Sequence, residues 1–293
     1  VVPQSGVKLH ILMTFLRQLF GELHKLFARR RTYIGYVVFI VFEALLLTLW
    51  VKLGREQVEK LAERNLIPVE ELYSSLTSTY WIMGWSMFLL GSIYFALVAG
   101  DIVAKESEDG NMRMVLARPV SRLRVLLLKY AAAIIYTVTF VIFVGVSGYA
   151  MSVAAMGWEG GLFIWNPDMF ILAVYPDWSE GFIRLFAGAC FMGVSMCVVT
   201  SLGFFFSCMK MKPAAATIMA LSVFFIDFVL QNVPFLADFK ESFITFRMSA
   251  WVYLMAEQIP WARIIESYAI LMGLNVSLFV MGWMIFQSRD FKT

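Results

Sequence analysis

Charge is what this 293-residue sequence has least of: Asp, Glu, Lys and Arg make up 15% of it, and hydrophobic residues 60%. A soluble domain carries about 25% charged residues, so the composition excludes a soluble globular protein and implies an integral membrane protein. Histidine is nearly missing, with only His10 and His24. No Cys-x-x-Cys occurs, so no Cys/His metal site is expected. The three cysteines, Cys190, Cys197 and Cys208, fall in one apolar stretch and read as small apolar fillers. The dipeptide Gly-Lys is absent, which removes the phosphate-binding loop Gly-x-x-x-x-Gly-Lys-Ser/Thr and ATP hydrolysis by that route. No nucleophile–base constellation stands out, so the chain is not expected to be an enzyme. A net charge of +3 is too small to point to nucleic acid. No internal repeat, low-complexity tract or soluble domain is evident.

What is present in quantity is apolar sequence in runs of spanning length. Six runs reach the roughly 20 residues a membrane helix needs: 33–53, 79–100, 124–156, 181–209, 213–235 and 265–287. A β-barrel would instead show short alternating segments. Trp50, Trp81, Trp85, Trp261 and Tyr33 fall near the ends of these runs, as interfacial belts do. With the N terminus inside, sixteen Lys and Arg lie in inner segments and eight in or beside outer ones. That bias places both termini in the cytoplasm. The loop 157–180 agrees, having acidic residues and no Lys or Arg.

Residues 7–29 repeat at helical period, with Ile11, Phe15, Leu19, Leu23 and Leu26 on one face and Lys8, Arg17, Glu22 and Lys25 on the other. This pattern fits an amphipathic interfacial helix rather than a span. Arg29–Arg31 ends it before a full-length span, which reads as an uncleaved signal anchor attracted to anionic lipid. The organisation is therefore a connecting helix over 1–32 and an all-α, six-helix membrane domain over 33–293. A semi-polar outer segment, 236–262, is expected to form short helices at the outer membrane surface, and 54–78 a small exposed helix.

Between the second and third spans lies a polar island, 101–123, in which Glu106, Glu108 and Asp109 lead to Gly110 and then to Arg118-Pro119. Glu106, Gly110, Leu116, Pro119, Ser121, Arg122 and Lys129 together resemble the cytoplasmic signature of type-2 ABC exporter permeases. The terminal Phe286-Gln-Ser-Arg-Asp-Phe291 is similar to that family's Phe-x-x-Arg-Asp-Leu ending, with Phe291 in place of Leu. The resemblance implies a permease in a bacterial inner membrane, forming a translocation path as a dimer with a second, identical permease. It also implies two copies of a separate ABC ATPase subunit, which would hold ATP and Mg, while this chain binds no cofactor. The coupling residues would be Glu106, Glu108, Gly110, Arg113, Arg118, Pro119 and Arg122. Gly110 would allow the bend before a coupling helix and Pro119 would end it.

Inside the spans, Glu43 lies ten residues into the first, about 15 Å deep at ~1.5 Å per residue. Such a carboxylate faces a protein interior or cavity. Asp227 in the fifth span and the aromatic and Met stripes Trp81, Trp85, Met87, Phe88 and Met219, Phe224, Phe225, Phe228 are further candidates for a path. Each has an ordinary packing explanation as well. Expected path residues are Glu43, Asp227, Trp85, Phe224 and Phe228. Two alternatives stay open: a stand-alone ion-coupled transporter or channel using Glu43 and Asp227, and a membrane scaffold. The cargo is not legible.

Overall fold

The computed structural model describes residues 4–55, 59, 73–116 and 120–289. Six of its helices are long and apolar enough to cross a membrane, and each coincides with one of the hydropathy runs. The protein is a helical, multi-pass membrane protein. In chain order the elements are α1 (Gln4–Phe27), α2 (Arg30–Gly54), α3 (Ser75–Glu108), α4 (Asn111–Leu116), α5 (Arg122–Met156), β1 (Leu162–Asn166), β2 (Ile171–Tyr175), α6 (Trp178–Ser207), α7 (Pro213–Gln231), α8 (Ile244–Met248) and α9 (Trp261–Ser288).

Local chemistry sets the helix starts. Ser74, Ser121 and Asp177 precede α3, α5 and α6, and their side chains accept from Thr77 N, Arg124 N and Ser179 N. These bonds satisfy amides that a helix leaves unpaired at its first turn. Pro213 occupies the first position of α7, where its missing N–H costs nothing.

α6 is the hub, packed between α3, α5, α7 and α9. It packs tightly on α3 at Gly203. A Cβ there would lie 2.9 Å from Ala99 Cβ and 3.0 Å from the Ala96 carbonyl oxygen. Small residues at such a crossing let helix backbones meet. Gly100, on the facing helix, is also tight, since a Cβ would lie 2.7 Å from Thr217 Oγ1 of α7.

The two ends of the bundle differ. At one end lie α1, the start of α2, the end of α3, α4, the start of α5 and the end of α9. We call it the basic end. The second span is longer than the hydropathy run indicates, because α3 continues helically through residues 101–108. The first part of the polar island is thus not a loop. α3 and α5 project beyond the start of α2, and α1 packs along the projecting base of α5. Arg124 Nε donates to Gln18 Oε1 at 3.0 Å, and the Phe27 and Tyr136 rings meet edge-on at 5.1 Å.

At the opposite end the loop 157–180 contains a feature absent from the helical reading, an antiparallel hairpin pairing Leu162 with Tyr175 through Asn166 with Ile171. Leu162 and Ile164 are fully buried. The Phe163 amide donates to Thr77 Oγ1 at 2.9 Å and the Tyr175 hydroxyl to the Met255 carbonyl at 2.9 Å. Segment 236–262 forms short 3-10 turns and α8 beside it. The helix expected within 54–78 falls largely outside the described residues.

Candidate functional site

Two constellations stand at opposite ends of the bundle. At the basic end, Lys129 is buried with its side chain 3% exposed, and its ammonium donates to Glu106 Oε1 at 2.7 Å and Glu22 Oε2 at 3.0 Å. One cation therefore joins α5, α3 and α1. Burial alone would raise the Glu22 carboxyl, but Lys129 and Lys25 around it outweigh burial and hold it below the usual carboxylate range. Arg31 at the start of α2 pairs with Asp101 of α3.

α3 ends at Glu108, and the chain turns at Gly110, whose φ of +74° is a conformation L side chains rarely adopt. The short helix α4 follows, with Met112 fully buried and Met114 66% exposed. Of the expected coupling residues, Glu106 faces inward to Lys129, and Glu108 is exposed. The backbone of Arg113 lies in α4, but its side chain is outside the described residues, as are Arg118 and Pro119 altogether.

Arg122 reaches the end of α9. Its guanidinium donates to the carbonyls of Gln287 and Arg289, both at 2.9 Å, at the end of α9. There it meets carbonyls that have no partner within the helix, at the negative end of the helix dipole. Arg289 in turn donates to the Cys208 carbonyl at 3.1 Å, just past the end of α6. Arg122 and the arginine of the terminal motif are thus clamps on helix ends, tying α5, α9 and α6 together.

At the hairpin end is a cavity of about 480 Å³. Trp81, Trp85 and Phe88 of α3, Phe224 and Phe228 of α7, Met192 and Met196 of α6, and Trp251 form its apolar walls. The Phe88 and Phe228 rings lie 4.5 Å apart. Asn166, Asp168, Gln231, Asn232 and Thr245 add a polar border. Mostly apolar walls with a few polar groups are the usual chemistry of a small-molecule pocket. In α3 the helix widens into π-type turns over Ser86–Gly91, directly after Trp85. Such turns re-aim side chains and concentrate at functional sites.

Three of the five expected path residues, Trp85, Phe224 and Phe228, therefore line one cavity. Glu43 and Asp227 do not. Asp227 is engaged at the start of α8, accepting from Ile244 N at 3.2 Å, Thr245 N at 2.7 Å and Thr245 Oγ1 at 2.7 Å. Its carboxylate caps a helix and fixes Thr245 on the cavity border. Glu43 is fully buried between α2 and α5, where its Oε2 accepts from Ser147 Oγ at 2.8 Å and its Oε1 has no partner among the described residues. From the stripes, Met87 is buried in the core and Met219 faces outward. Sequence reasoning missed Asn275, whose Oδ1 accepts from Ser201 Oγ at 2.6 Å inside the bundle. A lone amide in an apolar span was the available signal.

The profile of a family described as "Protein of unknown function (DUF2705)" matches residues 68–292. The chain belongs to the DUF2705 family. The match takes in the aromatic cavity, the Glu106–Lys129 pair and α4, so both ends of this DUF2705 bundle lie within it, apart from α1 and α2. No curated protein matches the sequence.

Proposed function

We propose that this DUF2705 protein is the membrane permease subunit of an ATP-driven exporter of the type-2 ABC class, in a bacterial cytoplasmic membrane with both termini on the cytoplasmic side. The observation that carries the reading is the basic end. A short helix with an exposed methionine hangs from α3 by a glycine turn, and the last turn of α3 is fastened through Lys129 to α5 and α1. A separate ATPase subunit docking on α4 would push on Glu106. The buried Lys129 ammonium would pass that displacement to two further helices at once, because breaking it would leave charges unpaired in a buried site. ATP and Mg belong to the ATPase. Two copies of this chain with two ATPases make the transporter, and rocking of the bundles exchanges its open sides.

The aromatic cavity at the hairpin end suits an amphipathic or hydrophobic cargo. Against an ion-coupled carrier, the Asp227 carboxylate accepts three hydrogen bonds from the start of α8.

The test is affinity purification from native membranes. A stoichiometric ATPase bearing a phosphate-binding loop is expected with the wild type. Gly110→Pro should lose it without lowering the melting temperature of the bundle, since proline fixes φ near −65° and redirects α4. Wild-type protein that purifies with no ATPase would sink the proposal.

A further inference from the structure

At the basic end, the corner between α1 and α2 faces the projecting end of α3 across a pocket of about 530 Å³. Lys25, Arg29, Arg30, Arg31 and Lys105 line it, with Glu106, Asp109 and Asn111. Several of these charges are already spent: Lys25 on Glu22, Arg31 on Asp101, Glu106 on Lys129. Arg29, Arg30 and Lys105 make no ion pair among the described residues. The pocket also borders the first turn of α2, whose N-cap residue Arg29 makes no side-chain capping bond.

This pocket adjoins a second cavity. Arg31, Lys105 and Asp109 border both it and an apolar groove of about 830 Å³ between α2, α3 and α7. Val38, Leu90, Ile93, Leu97 and Ile218 supply the groove walls. Gly35 lets α2 close against Tyr94 of α3 along the groove, because a Cβ there would meet the Tyr94 ring at 2.5 Å. From Asp101 to Leu90 the groove follows α3 for eleven residues, about 16 Å at ~1.5 Å per residue, or one leaflet of a ~30 Å hydrocarbon core. The basic pocket sits where the apolar run of α2 begins, the depth at which lipid phosphates lie. Lys212 adds a cation at the groove mouth, and Glu108 and Asp109 are the acids there without an ion pair among the described residues. The unpaired groups are thus four cations against two acids.

We propose that this composite cavity is a binding site for an anionic phospholipid, with its phosphate in the Arg29–Arg30–Lys105 pocket and one acyl chain in the α2–α3–α7 groove. The charge selects the headgroup and the length of the groove selects a chain. Asp109 and Asn111 border the pocket, so the headgroup sits against the turn from α3 into α4 and sets how that turn is held. The site depends only on the protein spanning a membrane and not on the exporter reading.

The experiment is native mass spectrometry of the full chain in neutral detergent, titrated with dioleoyl phosphatidylglycerol or phosphatidylcholine. The wild type should retain the anionic lipid at least tenfold better. Arg29→Gln with Arg30→Gln should weaken its retention roughly thirtyfold, from about fivefold per cation beside an anionic lipid surface. Removing cations from the start of α2 does not oppose its helix dipole, so the fold is kept. Ala214→Trp, at an exposed groove position, should weaken retention with an unchanged melting temperature. Equal retention of the two lipids, or undiminished binding by the double variant, would overturn the proposal. So would full displacement by millimolar inorganic phosphate, which would make the pocket a soluble-anion site. Disulfide pairing of two Ala214→Cys chains with the lipid excluded would make the groove an interface between copies.

Discussion

The Lys129 ammonium lies 2.7 Å from Glu106 and 3.0 Å from Glu22, so a single buried cation holds helices whose residues are 23 and 107 positions away from it in sequence. Bringing three charges out of water is costly, and their mutual attraction offsets that cost only while all three are present. Lys129→Ala should therefore destabilise the bundle by about 3–5 kcal/mol, the range for breaking a buried pair. Lys129→Met combined with Glu22→Gln and Glu106→Gln should recover most of that. Thermal melts of the single and triple variants check it, and equal loss in both would refute a charge-based role.

The same cluster gives α1 a pH dependence. Glu22 has its carboxyl lowered from an ordinary value of 4.5 when folded, with Lys129, Lys25 and the Lys129-paired Glu106 around it. A lowered folded value means its contribution is complete above about 4.5 and is lost as pH falls through the folded value. Hydrogen exchange in α1 peptides should accelerate below pH ~4.5 while α9 peptides stay protected. Glu22→Gln should remove that pH step. An unchanged step in the variant would assign it to another group.

The six spans were legible because apolar length alone identifies a membrane helix, and the amphipathic α1 because its charges recur at helical period. The pairing of the charges was not. Glu22 reads as one of several polar residues on a solvated face until α1 is laid along α5, and that packing depends on shape rather than periodicity. The hairpin was hidden for a related reason. Leu162, Phe163 and Ile164 are consecutively buried, so strand β1 lacks the alternation that marks a half-exposed strand. Asp227 and Glu43 looked alike as carboxylates in apolar runs. Only the tertiary packing shows that α8 begins against Asp227 while Glu43 faces Ser147.

That difference makes Asp227 a test of the carrier alternative. Asp227→Asn would turn an amide N–H₂ toward donors at Thr245 or Ile244, leaving one bond unmade at a cost of about 1–3 kcal/mol. The melting temperature should fall, and any transport activity should keep its wild-type pH profile. A shifted pH profile at unchanged stability would instead mark Asp227 as a proton site.

Gly203 tests the packing of the hub. The Ala96 carbonyl and Ala99 Cβ that a new Cβ would meet belong to the body of α3, which cannot swing aside as a flexible side-chain tip could. Gly203→Ala should cost about 1–3 kcal/mol, the range for overpacking a close-packed interior. Gly273→Ala, where nothing lies within 4 Å, is the matched control and should be neutral. Melting curves of the two variants side by side check this.

The aromatic cavity yields the prediction closest to function. Its walls come from three spanning helices and Trp251, and Phe88 and Phe228 are in ring contact, so a guest stacking there would touch α3 and α7 together. Trp85 is 49% exposed and stands beside the π-type turns. An aromatic contact contributes roughly 0.5–1.5 kcal/mol beyond burial, and the buried area adds more, so Phe228→Ala or Trp85→Ala should weaken an amphipathic ligand about five- to thirtyfold. A panel of amphipathic anions and cations screened by thermal shift would supply the ligand. Its binding curve should move in both cavity variants and stay fixed in Val37→Ala, which alters an exposed face of α2. If all three variants bind alike, the cavity is packing space beneath the hairpin rather than a binding site.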